Sequence, residues 1–268
     1  MKKIILPTDF SANAQKAIDY AIHLFKNEPC KFYLLHAYHS APSSPGNKQT
    51  AKSELKNFTQ MLKANRSNED HHFKAIVITN SIINALEKTI KKKEADYVFM
   101  GTKGSSALQE IFMGSNTVSV IKYLENCPIM AVPSDYDLGS TKEILFATDF
   151  KHAFTPSELR PLIQIAKLGG SALAVVHIKA EEQLSGAQKA NKILLEKSLE
   201  SVNSKFMEVA MNDTITSTIF ELGKENKNIG MVALLKTQHG YFDRLLREPI
   251  LKNIASKTEL PFLVLPKI

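Results

Sequence analysis

Three glycines followed by a hydroxyl and an amide form the pattern in this sequence that is best suited to chemistry. Gly101 and Gly104 stand in the run GTKG, and Gly114 follows nine residues later, before Ser115 and Asn116. Glycine lets the backbone turn sharply and approach a ligand without a Cβ in between. A helix predicted to begin here would offer unpaired N–H groups and its dipole to an anion. The spacing favours a phosphate-binding loop, with a plain Gly-rich turn before a capped helix as the alternative.

Alternating strands and helices must position this loop. Short apolar runs of strand length are separated by segments with helical period, which predicts four βα repeats and a closing strand in the first half. This order implies a parallel sheet with helices on both faces, and the glycines follow its fourth strand, at the edge where such sheets bind ligands. The predicted strands are 3–8, 31–38, 73–79, 97–100 and 128–132, and the first helix covers 12–26, with Ser11 or Asn13 as its cap.

The second half of the chain repeats the first. The run IILPTDF at 4–10 matches ILFATDF at 144–150, so Thr8 and Asp9 correspond to Thr148 and Asp149. FYLLHA matches LAVVHI, and CPIMAVP matches LPFLVLP, in the same order along the chain. Three ordered matches indicate duplication of one domain. We predict domains at 1–136 and 141–268, joined by a polar linker with Pro and Gly.

Composition excludes several classes of protein. Hydrophobic residues make up 44% and charged residues 23%, which is typical of a globular chain. The net charge of +7 forms no dense basic block, so we expect no nucleic-acid partner. No apolar run is long enough for a membrane span, and the amino terminus has no signal peptide pattern. The two cysteines, far apart and without other metal ligands nearby, favour a reducing cytoplasm over a disulfide or zinc protein.

The sequence resembles a tandem universal stress protein. The resemblance rests on IILPTDFS, LLHAY, ADYVFMGTKG and GSNTVSVIKYLENCPIMAVP, covers essentially the whole first half, and extends more loosely over the second. It implies two tandem α/β domains, each with a doubly wound, five-stranded parallel sheet. It also implies ATP binding, since one branch of the family binds ATP at this glycine pattern. Another branch lacks the pattern and does not bind ATP. The sequence leaves open whether magnesium is needed.

The resemblance also implies roles for individual residues. Gly101, Gly104, Gly114, Ser115 and Asn116 would hold the phosphates, and Pro7, Thr8 and Asp9 would face the adenosine end. The backbone near Ala37 would contact the base. Capping of the first helix is the alternative role for Asp9. We expect His36 to be a hydrogen-bonded histidine at the sheet edge rather than a catalytic base.

The second half departs from the glycine pattern. Aligning Pro261 with Pro128 places Leu234, Thr237, Arg247 and Glu248 where Gly101, Gly104, Gly114 and Ser115 stand. Glu248 would put a carboxylate at the start of a helix, in the place a phosphate would need. At about 4 Å such a clash costs on the order of 4 kcal/mol at an effective dielectric of 20. We therefore predict that the second domain does not bind ATP, although Asp149 is retained.

Three functions remain open at this level. The first is a nucleotide-binding regulatory protein of the stress response, which needs no catalytic residue. The second is a slow ATPase or phosphotransferase, for which Glu110 is the nearest carboxylate and no Walker lysine follows the glycines. The third is an interaction scaffold that binds no nucleotide. The apolar closing strands, 129–132 and 262–265, would be sheet edges, and their pairing would give an internal pseudo-dimer or a homodimer.

Overall fold

The chain divides into two compact units. The computed structural model describes residues 1–38, 48–65, 68–102, 114–136, 139, 141–179, 183–237, 240–241, 243 and 260–268. Among these residues, unit 1 ends at Ser134 and unit 2 begins at Asp135. The exact domain bounds of 1–136 and 141–268 stay a prediction.

In its described residues, unit 1 is a parallel five-stranded sheet with four helices. Its strands lie in the order β3-β2-β1-β4-β5, so the chain moves outward from β1 first in one direction and then in the other. Right-handed crossovers then place helices on both faces of the sheet. The elements are β1 (Lys2–Pro7), α1 (Ala12–Leu24), β2 (Cys30–Tyr38), α2 (Lys48–Ala64), β3 (His71–Thr79), α3 (Ile82–Lys93), β4 (Tyr97–Gly101), α4 (Ser115–Tyr123) and β5 (Ile129–Val132).

Unit 2 repeats this topology. Its parallel strands lie in the order β8-β7-β6-β9-β10, which is the order of unit 1 once the five strands of each unit are counted from its start. The predicted fold class, two tandem parallel α/β sheets, is confirmed. The described elements are β6 (Glu143–Ala147), α5 (Pro156–Gly169), β7 (Ala172–Lys179), α6 (Gly186–Ser198), β8 (Ser204–Ala210), α7 (Ile215–Glu225), β9 (Ile229–Leu235) and β10 (Phe262–Leu265).

The central strands form where the sequence has unbroken apolar runs. Parallel strands covered on both faces need such runs rather than an alternating pattern. Ile4, Ile5 and Leu6 of β1 are completely buried, as are Ile144, Leu145 and Phe146 of β6. Loss of water contact by these side chains stabilises each unit, at roughly 1.5–3 kcal/mol per large apolar side chain.

Both cysteines are free and buried, and both lie in unit 1. Within the described ranges, no helix combines the length and the apolar character that a membrane crossing requires.

Candidate functional site

The carboxyl ends of β1 and β4 lie side by side in unit 1. The two strands are paired, with Ile4 opposite Tyr97 and Ile5 opposite Val98, while β2 lies on the other side of β1. The next strand after β1 is β2 and the next after β4 is β5, and these lie on opposite sides of the pair. Open α/β sheets form a ligand-binding crevice at such a switch in strand order. The topology brings the residues that follow β1 and those that follow β4 to this crevice.

A sharp turn of Thr8, Asp9 and Phe10 leaves β1. The Thr8 side chain accepts a hydrogen bond from the Phe10 N–H at 3.0 Å, and the Asp9 carboxylate accepts one from the Ser11 N–H at 3.1 Å. Phe10 adopts a left-handed φ of 64°, which costs a bulky side chain about 1–3 kcal/mol. Ser11, and not Asp9 or Asn13, caps α1, because its hydroxyl accepts from the Ala14 N–H. Asp9 is exposed at the crevice.

Gly101 is a glycine because of what packs against it. A Cβ at this position would lie 2.5 Å from the side-chain oxygen and 2.8 Å from the backbone oxygen of Asn13. The Asn13 amide in turn donates to the Val132 carbonyl at 3.2 Å, and the Thr117 hydroxyl donates to the Gly101 carbonyl at 2.8 Å. Gly101 thus lets the start of α1 approach the end of β4, and it acts on the crevice by positioning both.

Helix α4 begins after a residue that has no side chain to cap it. Its N-cap is Gly114, whose own N–H donates to the Thr102 carbonyl at 2.6 Å, and Ser115 and Asn116 are exposed in the first turn. Uncapped first-turn N–H groups need an acceptor from solvent or from a ligand. Every other helix whose N-cap lies among the described residues has a serine or threonine there that accepts a hydrogen bond: Ser11, Ser81, Thr155, Ser185 and Thr214.

Thr102 adds a buried polar group at the end of β4. Its hydroxyl oxygen is inaccessible to solvent and has no hydrogen-bond partner among the described residues. An unpaired buried hydroxyl costs about 1–3 kcal/mol. The backbone carbonyl of the same residue accepts from the Gly114 N–H, so this hydroxyl and the start of α4 lie at the same edge of the crevice.

The far end of the crevice is the strand β2 beyond its pairing with β1. That pairing ends with Pro7 opposite Leu35 and a hydrogen bond from the Thr8 N–H to the Leu35 carbonyl. Backbone groups alternate sides along a strand, so Ala37 directs its N–H and C=O past the end of β1. His36 Nδ1 contacts the Thr8 carbonyl at 2.8 Å, and since a carbonyl only accepts, that nitrogen carries a proton.

The structure locates most of the residues predicted from the sequence. Pro7, Thr8 and Asp9 lie at the end of β1, Ala37 lies near the end of β2, and Gly101 ends β4. Gly114, Ser115 and Asn116 form the start of α4, while Gly104 and Glu110 lie outside the described residues.

The sequence reasoning missed three residues of the site: Phe10, Asn13 and Thr102. The duplicated Thr-Asp-Phe run could have pointed to Phe10, but nothing in the sequence links Asn13 to Gly101. In the described part of the chain, no group of three or more His, Cys, Asp or Glu residues could hold a metal ion.

Unit 2 keeps the turn and lacks the glycines. The Thr148 side chain accepts from the Phe150 N–H at 3.1 Å, Asp149 accepts from the Lys151 N–H at 3.0 Å, and Phe150 has a φ of 56°. Leu234, which aligns with Gly101, is a buried residue of β9. Arg247 and Glu248, on which the predicted carboxylate clash depends, lie outside the described residues.

A family model described as the universal stress protein family matches residues 1–133. Residues 1–133 therefore form a domain of the universal stress protein family. A universal stress protein of Methanocaldococcus jannaschii is 28% identical over 139 residues, which span 49% of this chain and 81% of the relative. The resemblance inferred from the sequence motifs is therefore confirmed.

Solved structures extend the similarity of fold to the whole chain. A universal stress protein from Archaeoglobus fulgidus DSM 4304 has a TM-score of 0.70 at 16% identity and covers 98% of each chain. The cytoplasmic domain of a prokaryotic cation chloride cotransporter has a TM-score of 0.59 at 10% identity, covering 99% of this chain and 95% of that one. Proteins with different names thus share this tandem fold, so function has to be argued from the site.

Proposed function

We propose that unit 1 binds ATP at the crevice beyond β1 and β4, and that the protein is a nucleotide-responsive regulator of the stress response. The phosphates lie at the start of α4, the ribose at Asp9 and the adenine at the backbone of Ala37. In this proposal unit 2 has a structural role. Membership of the universal stress protein family supports the general role, and the geometry of unit 1 supports the ligand.

The uncapped start of α4 is the observation that carries the proposal. Five other helices satisfy their first-turn N–H groups with a hydroxyl, whereas α4 begins at a glycine and exposes Ser115 and Asn116. A helix start of this kind, at the carboxyl end of a parallel strand, combines backbone N–H donors with a dipole that favours negative charge. A polyphosphate supplies both the acceptors and the charge.

The adenosine end is supported by Asp9 and Ala37. An exposed carboxylate that follows a rigid turn can accept hydrogen bonds from the two hydroxyls of a ribose. The N–H and C=O that Ala37 directs past β1 can bind a base that presents one acceptor and one donor side by side. The left-handed Phe10 fixes the turn that places Asp9, and its ring lies 4.9 Å from the ring of His36.

Regulation by ATP requires occupancy and no chemical step. A ligand at 100 times its dissociation constant adds roughly 2.7 kcal/mol to the stability of the state that binds it. Such a change is enough to shift the affinity of a partner protein. The proposal places the protein in the cytoplasm, and the two free, buried thiols are what a reducing compartment maintains.

A matched pair of charge substitutions tests the proposal. Ser115→Glu puts a carboxylate at the first residue of α4, and Gly186→Glu puts the same group at the first residue of α6, where a side chain meets nothing within 4 Å. A carboxylate about 4 Å from a phosphate costs about 4 kcal/mol, or roughly a thousandfold in affinity. Calorimetric titration of the full chain with ATP, with and without Mg²⁺, measures this loss.

We expect the wild type and Gly186→Glu to bind ATP equally and Ser115→Glu to lose binding. Equal binding by all three proteins would contradict the phosphate assignment. Absence of binding in the wild type would refute the proposed function and leave an interaction scaffold as the better account.

A further inference from the structure

A tyrosine of unit 2 makes an unusual pair of hydrogen bonds with one residue of a neighbouring strand. The Tyr241 hydroxyl accepts from the Ile178 N–H at 2.9 Å and donates to the Ile178 carbonyl at 2.8 Å. The side chain is 5% exposed, and its ring lies 18° from parallel to the ring of His177, with centroids 6.5 Å apart. The hydroxyl of Tyr241 therefore satisfies both backbone groups of Ile178, and its ring stacks beside that of His177.

These backbone groups lie where the sheet of unit 2 lacks a strand. The pairing of β6 with β7 ends at Ala147 opposite Val176, followed by a hydrogen bond from the Thr148 N–H to the Val176 carbonyl. Two residues further along β7, Ile178 directs its N–H and C=O past the end of β6. Tyr241 reaches this position from 63 residues away.

Ile178 corresponds to Ala37 of unit 1. Each residue follows a histidine whose Nδ1 contacts a threonine carbonyl at the end of the first strand of its unit, His36 with Thr8 and His177 with Thr148. Each lies two residues beyond the last carbonyl of its strand that accepts a hydrogen bond from the end of the first strand, which is Leu35 in unit 1 and Val176 in unit 2. The two positions therefore offer the same pair of backbone groups to whatever lies beyond the strand.

A planar group that accepts from an N–H and donates to the C=O of the same residue has the hydrogen-bonding edge of adenine. In adenine a ring nitrogen accepts and the adjacent amino group donates; in Tyr241 one hydroxyl does both. We propose that Tyr241 is a built-in occupant of a second base-binding slot, formed by His177 and Ile178, and that its removal opens this slot to adenine-type heterocycles. This inference rests on the proposed function in taking the backbone of Ala37 as the base contact of unit 1.

The residue before Tyr241 covers the neighbouring part of the site. A Cβ on Gly240 would lie 3.8 Å from Asp149 Oδ2, so this segment also lies against the carboxylate that corresponds to Asp9. Ile178 and His177 are buried, whereas Ala37 and His36 are half-buried. At the offset of 133 residues that aligns Leu234 with Gly101, Tyr241 aligns with Leu108, a side chain that has no hydroxyl.

Binding of adenosine to variants of the full chain tests the inference. The parent protein for these measurements is Ser115→Glu, which removes the proposed phosphate site of unit 1. Every Tyr241 variant also carries this substitution, so adenosine binding that does not depend on Tyr241 is measured in the parent. Tyr241→Leu introduces the residue type found at the aligned position in the first half of the sequence and takes away the ring. Tyr241→Phe, the matched control, takes away the hydroxyl with its hydrogen bonds to Ile178 and its 3.3 Å contact with His177 Nδ1, and leaves the ring in the slot.

By equilibrium dialysis we expect Tyr241→Leu to bind one more equivalent of adenosine than the parent, and Tyr241→Phe to bind no more than the parent. A second variant, Tyr241→Gly, provides a measurement that does not depend on the leucine being accommodated. We expect p-cresol, which is the missing side chain as a free molecule, to raise the melting temperature of Tyr241→Gly and not of the parent, and adenosine to compete with it.

Two results would overturn the inference. One is binding of p-cresol by Tyr241→Gly without competition from adenosine, together with no added equivalent in Tyr241→Leu. The other is an equal gain in Tyr241→Phe and Tyr241→Leu, since the ring would then not be what fills the slot. Neither result depends on whether wild-type unit 1 binds ATP, so failure of the proposed function is recognised separately.

Discussion

The two units share a fold and a turn but differ in what lies against that turn. Asp9 is exposed and Asp149 half-buried; Phe10 is 39% exposed and Phe150 only 1%. In unit 1 the ring of Phe10 lies against His36 and Phe58, and in unit 2 the ring of Phe150 lies against His177 and Phe206, with Lys192 above it. The same backbone geometry thus leaves the side chains of the turn exposed in unit 1 and packed against neighbouring side chains in unit 2.

This difference shows which parts of a duplicated domain can change. The Thr-Asp-Phe turn is held by its own backbone and side-chain hydrogen bonds, and the strands by buried apolar side chains, so both survive in each copy. In the proposed function the glycines of unit 1 serve a ligand site, and Gly101 also lets the start of α1 approach the end of β4. Their replacement leaves the sheet of unit 2 intact.

The largest expected effect on stability comes from Gly101, where unit 2 has Leu234. Gly101→Ala would force a Cβ against the side chain and backbone of Asn13, and overpacking of this kind costs about 3 kcal/mol. Urea unfolding followed by circular dichroism measures the loss. Gly186→Ala, at an unobstructed position, is the control and should stay within about 0.5 kcal/mol of the wild type. An unchanged free energy of unfolding in Gly101→Ala would contradict the packing explanation for this glycine.

The two aspartates should differ in their effect on ATP binding. Asp9→Asn keeps the oxygen that accepts from the Ser11 N–H but loses the charge offered to a ribose, which is worth about 2 kcal/mol, or roughly thirtyfold in affinity. Asp149→Asn makes the same change in unit 2 and should leave the affinity unaltered. Calorimetric titration of both variants measures the contrast, and equal losses would show that unit 2 takes part in binding.

Acid should weaken unit 2 through a buried glutamate that unit 1 lacks. The third residue of α5 is Glu158, where α1 has Ala14. Burial by itself raises the pKa of Glu158, but hydrogen bonds from Thr155, His152 and Ile268 outweigh it and hold the pKa below its ordinary value of 4.5. The stabilisation is therefore complete above that value and is lost as the pH falls through the lower pKa of the folded state.

Glu158→Gln should lower the unfolding free energy by about 1.5 kcal/mol at neutral pH, because it exchanges charge-assisted hydrogen bonds for neutral ones. The difference from the wild type should shrink as the pH is lowered below the ordinary glutamate pKa. Urea unfolding at a series of pH values measures it. A difference that stays constant with pH would show that the charge of Glu158 contributes nothing.

The smallest effect concerns thiol reactivity, which reports on unit 1 alone. Burial raises the pKa of the Cys30 thiol to about 12 and raises the pKa of the Cys127 thiol as well. We expect neither thiol to react with Ellman's reagent at neutral pH while unit 1 is folded, and both to react in urea. Gly101→Ala should make both thiols react with Ellman's reagent sooner than in the wild type, because it destabilises unit 1. Rapid reaction of the folded wild type would contradict the burial of these side chains.

The repeating pattern of apolar residues was sufficient to predict the fold. The predicted strand 31–38 is observed as Cys30–Tyr38, and the helix predicted at 12–26 as Ala12–Leu24. Strand and helix periods are local properties, so a run such as Ile4, Ile5, Leu6 indicates a buried strand without knowledge of its neighbours. Family membership followed from short motifs of the same local kind.

The site could be predicted only in part. The turn at Asp9 and the glycine before α4 could be located because each lies within a few residues of a strand end or helix start. The reason for Gly101 could not, because Asn13 is distant in the sequence and meets it only through the pairing of β1 with β4. The sequence left Ser11 and Asn13 as alternative caps of α1, and the hydrogen bond from the Ala14 N–H to the Ser11 hydroxyl identifies Ser11 as the cap.

The sequence by itself determined the duplication, the order of strands and helices, and the chemistry of the glycine pattern, since all three are carried by residue type and short spacing. Only the tertiary structure decided that α4 alone, among helices with a described N-cap, begins without a hydroxyl acceptor, and that Tyr241 lies against Ile178. The physical reason is that a hydrogen bond depends on distance in space. Residues 63 positions apart reach that distance only after the strands have paired.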